Sequence, residues 1–239
     1  MSTLSLREIA GSCLGVSGTF SVARDVFGYV YGEMNETVSL RKQLTLAKGP
    51  CINLSIVLVG HRDDFSGLVT LSDVRAVQVG IHIAREIYGK VDLGIRKIYW
   101  QRISPEDAGN YATINDSSEG KSLTEDWSSP TDGLDVFFCP QVNGADGWSD
   151  LGGTCDKGAK DAWTGTVCEL GMSPAFTGVL LAHEVGHYLG LDTGPSLQNV
   201  MGEDPDGDNI DSINSNSTDI TTAQGDVMKA HCYVQGSCG

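Results

Sequence analysis

The sequence predicts an α+β fold, a twisted mixed β-sheet with helices packed on it. Three observations predict it: a β-branched apolar run at 52–59, a long amphipathic pattern at 71–89, and further short apolar runs before a second, capped helix. In order, "INLSIVLV" (52–59) suits a strand buried on both faces. "LSDVRAVQVGIHIAREIYG" then carries Val74, Val77, Ile81, Ala84 and Tyr88 on one side, which makes it a long backing helix. Its expected N-cap is Ser72 and its expected stop Gly89. "GIRKIYW" (94–100) and "LDVFFC" (134–139) read as the second and third strands. The turn-rich stretch between them reads as surface loop. "GADGWSDLGG" (144–153) reads as a short edge strand, and "TGTVCEL" (164–170) reads as one more strand. Ser173 and Pro174 open a second helix that Gly190 is placed to end, and "ITTAQGDVMKAHC" (220–232) gives a C-terminal helix.

The first fifty residues form an N-terminal extension or pro-segment, and residues 51–239 form one catalytic-sized domain. Val22, Val26 and Val30 recur at helical spacing in the extension, but five nearby glycines weaken a helix there.

With Lys and Arg totalling 16 against 31 Asp and Glu, the formal charge is -15. A surface this acidic lacks the basic footprint that displaces counterions from nucleic acid. No apolar run is long enough to span a membrane. Neither partner is therefore expected, and the chain reads as a monomer.

The seven cysteines, Cys13, Cys51, Cys139, Cys155, Cys168, Cys232 and Cys238, form no paired CxxC ribbon. Disulfides and a secreted or extracellular destination are expected instead. A bridge among Cys139, Cys155 and Cys168, and another between Cys232 and Cys238, are the expected pairings, with free buried thiols the alternative. The opening "MSTLSLREIAGSCLGVSG" lacks a basic region and a continuous apolar core. Prior removal of a leader, another export route and an intracellular life all stay open.

"AHEVGHYLGLDTG" (182–194) concentrates the chemistry. His183 and His187, four residues apart on a helix, leave the same face one turn apart and can grip one ion. Glu184 stands beside the first, where a carboxylate can take a proton from water activated by the metal. The bland alternative is two histidines satisfied by hydrogen bonds.

"HEVGHYLGL" with the downstream "NVM" (199–201) resembles the metzincin clan of zinc metallopeptidases. The matching positions are His183, Glu184, His187, Gly190 and, for the clan's Met-turn, Met201. The resemblance implies Zn2+ and a protein or peptide substrate. It further implies hydrolysis with Glu184 as general base, an edge strand that aligns substrate, and a methionine floor under the metal. The third ligand departs from the clan: its position falls on Thr193, whose hydroxyl is a poor ligand, while the carboxylate of Asp192 comes one residue early. A small shift in the turn would let Asp192 reach; otherwise Asp192 caps the turn or supports a histidine. The competing functions are a zinc-binding but catalytically impaired binding or toxin-like protein on the same fold, and a hydrolase of non-peptide amides.

Two further features remain. "DPDGDNID" spaces Asp204, Asp206, Asp208 and Asp211 so that they could converge on Ca2+, resembling the calcium loops of thrombospondin type-3 repeats. A solvated acidic loop is the alternative. Cys13 or Cys51 could ligate zinc in a latent form, as pro-segment cysteines do in some metzincin-like enzymes.

Overall fold

The computed structural model describes residues 16–18, 49–194, 196–202 and 213–237. The described chain mixes strands and helices. In order they are β1 (Val16–Gly18), β2 (Cys51–Val59), α1 (Leu71–Gly89), β3 (Gly94–Ile103), α2 (Pro105–Ala108), β4 (Thr113–Ile114) and α3 (Ser117–Asp126). There follow β5 (Leu134–Cys139), β6 (Gln141–Val142), β7 (Gly147–Trp148), β8 (Gly165–Glu169), α4 (Pro174–Tyr188) and α5 (Thr222–Lys229).

The main sheet has six strands in the order β1-β3-β2-β5-β8-β7. Only β7 runs antiparallel, so the sheet is mixed, as expected. The β-branched run at 52–59 becomes the central strand because both its faces are covered. Ile52, Leu54, Ile56 and Leu58 meet α1 and α4, while Val57 and Val59 meet the layer under α3. At roughly 25 cal/mol per Å² of apolar surface, burying both faces makes this strand a large contributor to the core.

Helix α1 lies against α4 through a close approach of small residues. A Cβ on Gly178 would sit 2.6 Å from Ile83 Cβ and 2.9 Å from the Gly80 carbonyl, so glycine there sets how near the two helices come. Tyr88, fully buried at the end of α1, donates its hydroxyl to the carbonyl of Ala182 (2.6 Å), fixing α1 to the turn of α4 just before His183.

Two local expectations are corrected. The cap of α1 is Thr70, not Ser72: Thr70 accepts from the Asp73 N–H while Asp73 reaches back to the Thr70 N–H, a reciprocal capping box that Ser72 cannot make from inside the first turn. The stretch between β3 and β5 is not plain surface loop but carries α2, β4 and α3. Its Ile114 and Leu123 are buried, and they cover the second face of the sheet. Polar composition hid it because only a few apolar residues per turn are needed to cover a flat strand layer.

The extension at 1–50 is described only where β1 pairs in parallel with β3. The Val22, Val26 and Val30 pattern and Cys13 lie outside the described residues. None of the helices among the described residues is long and apolar enough to cross a membrane.

Candidate metal centre

Helix α4 is built as expected. Ser173 accepts from the Phe176 N–H (3.2 Å) and Pro174 occupies the first turn, where its missing donor costs nothing. The helix ends at Tyr188, and Gly190 adopts φ 98°, a left-handed conformation that favours glycine. Around it the Leu191 N–H reaches the Gly186 carbonyl (2.9 Å) and the Gly190 N–H the His187 carbonyl (2.8 Å), the two bonds of a Schellman turn. That turn brings the Leu191 carbonyl back beneath His187.

The carbonyl has a definite use. His187 donates Nδ1–H to Leu191 O (2.7 Å), and His183 donates Nδ1–H to Val200 O (2.8 Å). Each ring therefore keeps its lone pair on Nε2, and the two Nε2 atoms face each other at 3.0 Å. Burial drives both rings toward the neutral form, pushing His183 down to about 4 with help from His187 and lowering His187 as well. Two unshared pairs aimed at one point repel each other unless a cation lies between them. The pair fits zinc in chemistry and in scale, since bonds of about 2.0–2.1 Å in a tetrahedron set donor nitrogens about 3.3 Å apart. Both rings are only half-buried, so the point they face opens to solvent.

Val200 belongs to a tight turn, Asn199 to Gly202, that puts Met201 under the helix. Met201 is fully buried, and a Cβ on Gly186 would lie 2.6 Å from its sulfur. The methionine thus forms an apolar support between the two histidine rungs. Asn199 holds the turn by accepting the Met201 N–H on Oδ1 (2.9 Å) and exchanging amide bonds with Gln224 of α5 (2.9 Å each).

Glu184, next to His183 on α4, reaches toward the edge strand β7. It is buried against the edge strand, with its carboxylate where a Cβ on Gly147 would sit, at 2.6 Å. Burial, reinforced by the charge of Asp146, pushes its carboxyl up to about 8. Asp146 and Glu169 are likewise raised, first by burial. A residue at 147 larger than glycine would displace the carboxylate, a requirement no motif advertised.

The structure does not bring Asp192 to the histidine pair. Its side chain is exposed and caps its own turn, accepting the Thr193 N–H on Oδ1 (2.9 Å), though its charge still acts on His187. Thr193 is exposed as well. Among the described residues no histidine, cysteine, aspartate or glutamate joins His183 and His187 as a third donor within 4.8 Å. Asp204, Asp206, Asp208 and Asp211 lie outside the described residues.

A strap steadies the far end of α4. Gly152 and Gly153 donate their N–H groups to the carbonyls of His187 (3.0 Å) and Tyr188 (2.9 Å), and the Tyr188 hydroxyl bonds the carbonyls of Thr154 (2.7 Å) and Trp163 (2.9 Å). The strap is tied to the end of α5 by a disulfide between Cys155 and Cys232. This corrects two expected pairings: Cys232 does not bridge to Cys238, and Cys139 and Cys168 are free and buried, one register step apart on β5 and β8 and in different core clusters. Cys51 is disulfide-bonded, which removes it as a zinc ligand.

No protein-family model and no curated protein matches the sequence. Among solved structures, metalloproteinase-II from Bacteroides fragilis is similar with a TM-score of 0.46 at 12% identity, over 74% of this chain and 52% of that one. The structure of a chaperone-substrate complex is similar with a TM-score of 0.41 at 16% identity, over 76% of this chain and 34% of that one. The chain thus spans about half of the first and about a third of the second.

Proposed function

We propose that this chain is a zinc-dependent endopeptidase whose metal is held by His183 and His187 and whose general base is Glu184. The observation that carries the reading is the pair of Nε2 lone pairs, locked by two backbone carbonyls and facing each other at 3.0 Å, on the same helix that buries the carboxylate of Glu184.

Zinc, when bound, supplies Lewis acidity and makes a coordinated water acidic near neutral pH. The remaining work belongs to the chain. Glu184 takes the proton of the attacking water and returns it to the leaving amine. Its burial excludes competing solvent, and a cation at the histidine pair draws its raised carboxyl back toward the ionised form a base requires. The outer edge of β7, last in its sheet, supports an extended peptide that adds as a further strand beside Glu184.

A second reading has its own support: a protein on the same fold that holds zinc without cleaving. It is favoured by the lack of a third His, Cys, Asp or Glu donor among the described residues. Digestion of casein or a peptide library by the zinc-loaded protein, by Glu184→Ala and by chelator-treated protein separates the two. Cleavage lost in both treatments supports the peptidase. No cleavage by the zinc-loaded wild type, with one zinc per chain still bound, supports the binding protein and overturns the enzyme.

A further inference from the structure

A second group of metal-ligating atoms lies away from this centre. Cys155, His231 and Cys232 bring one ligand atom each within 4.8 Å of one another, where the strap meets the end of α5. His231 donates Nε2–H to the Gly153 carbonyl (2.9 Å), which leaves the lone pair of the neutral ring on Nδ1. Nδ1 lies 3.9 Å from Cys155 Sγ and 4.0 Å from Cys232 Sγ, and its other neighbour is the Tyr233 N–H in a long contact of 3.3 Å. The ring is further held against Tyr233, with planes 6° apart. A carbonyl that fixes the tautomer and orientation of a histidine is how ligating histidines are set, and here the other nitrogen, which accepts only the long Tyr233 N–H bond, faces two sulfurs.

In the oxidised chain the sulfurs are bonded to each other and have no charge to offer. We propose that reduction of Cys155–Cys232 opens a thiolate site for a soft divalent cation, with Cys155, Cys232 and His231 Nδ1 as its ligands and solvent in the fourth position. The step balances with a dithiol as reductant. The dithiol gives two electrons and two protons and becomes a disulfide, while the protein bridge becomes two thiols. Binding of the cation then releases those two protons. Zinc takes this donor set with sulfurs at about 2.3 Å and nitrogen at about 2.0–2.1 Å in a tetrahedron, so each sulfur stands about 3.6 Å from the nitrogen. The observed separations exceed that by only a few tenths of an ångström, and the Cα atoms, 6.2 Å apart, leave the sulfurs free to part around an ion. Cys232 is exposed, so a dithiol reaches the bridge without unfolding the chain. The site is independent of the peptidase reading, since it shares no ligand with His183 and His187.

The test uses cobalt(II) on the full chain, oxidised or treated with a dithiol that is then removed without air. Thiolate-to-cobalt charge transfer absorbs in the near ultraviolet, and the histidine pair, having no thiolate, cannot produce it. The reduced wild type is expected to show that band and to bind one more cobalt than the oxidised protein. Zinc is expected to raise the melting temperature of the reduced protein more than that of the oxidised one. Cys155→Ser and Cys232→Ser should abolish the band, and His231→Ala should weaken cobalt binding at least tenfold. The proposal is overturned by a reduced wild type without the band. It is equally overturned by a band that survives in the double serine variant, which would assign it to one of the five other cysteines. A reduced chain that loses its native circular dichroism and does not regain it with zinc overturns it too.

Discussion

The two flanks of α4 solve opposite electrostatic problems. On one flank His183 and His187 have every ring nitrogen committed: one to a carbonyl, the other to the point between them. On the other flank Glu184, Asp146 and Glu169 gather near the edge of the sheet, where burial disfavours their charges and the charge of Asp146 adds to the strain on the other two. Neutral donors with fixed hydrogen bonds are suited to hold a cation, whereas carboxylates short of solvation are suited to react and to lower their energy when a cation arrives. On the proposed function the contrast divides the labour: one flank would bind, the other would do chemistry.

The sharpest way to break this division is to remove one group from each flank and measure metal and catalysis separately. His187→Ala deletes one of two lone pairs, and the protein is expected to lose stoichiometric zinc by elemental analysis and peptide cleavage with it. Glu184→Gln is isosteric and leaves the histidines alone. It is expected to keep one zinc per chain while kcat/KM falls by about 10²–10⁴, the usual contribution of a general base. If Glu184→Gln instead lost the zinc, the carboxylate would belong to the binding flank and the division would fail.

How much of this was visible beforehand differs residue by residue. His183, Glu184 and His187 were legible because a helix converts a spacing of four into a shared face, and Ser173, Pro174 and Gly190 mark that helix at both ends. Met201 was legible from its place in the resemblance, and it does lie under the helix at Gly186. The atoms that aim the histidines were not, since Leu191 O and Val200 O are backbone carbonyls and any side chain could stand there. The pairing of Cys155 with Cys232 was equally hidden. It closes over 77 residues and depends on how the strap crosses α4, a tertiary outcome that cysteine spacing does not encode. Asp192 was expected as a ligand because it is the nearest carboxylate in sequence, and in the structure its Oδ1 accepts the Thr193 N–H of its own turn. At the level of strands, the apolar runs at 52–59 and 134–139 left little choice of structure. The excursion carrying α3 was missed because it is mostly polar and buries only isolated residues.

Smaller effects sharpen the comparison by asking what each flank leans on. The binding flank leans on the strap, and Gly153→Ala tests it. The added Cβ would lie 2.2 Å from the Tyr188 ring, so the ring or the strap must shift. Overpacking of this kind costs about 1–3 kcal/mol, read as a lower urea midpoint. Because the strap also caps the His187 carbonyl, zinc affinity should fall with it.

The reactive flank leans on its own burial, which Glu169→Gln tests. Burial raises the Glu169 carboxyl above its ordinary 4.5, against the pull of a Val142 backbone hydrogen bond, so the native chain holds this proton to higher pH than the unfolded chain does. A raised carboxyl contributes stability below 4.5 that is lost as pH rises through its folded value. Glutamine does not titrate and escapes the loss. The variant should therefore gain in urea midpoint relative to wild type as pH rises across that window, and show no gain below it. A constant difference at every pH would mean that packing, not the proton, sets the cost of a carboxylate there.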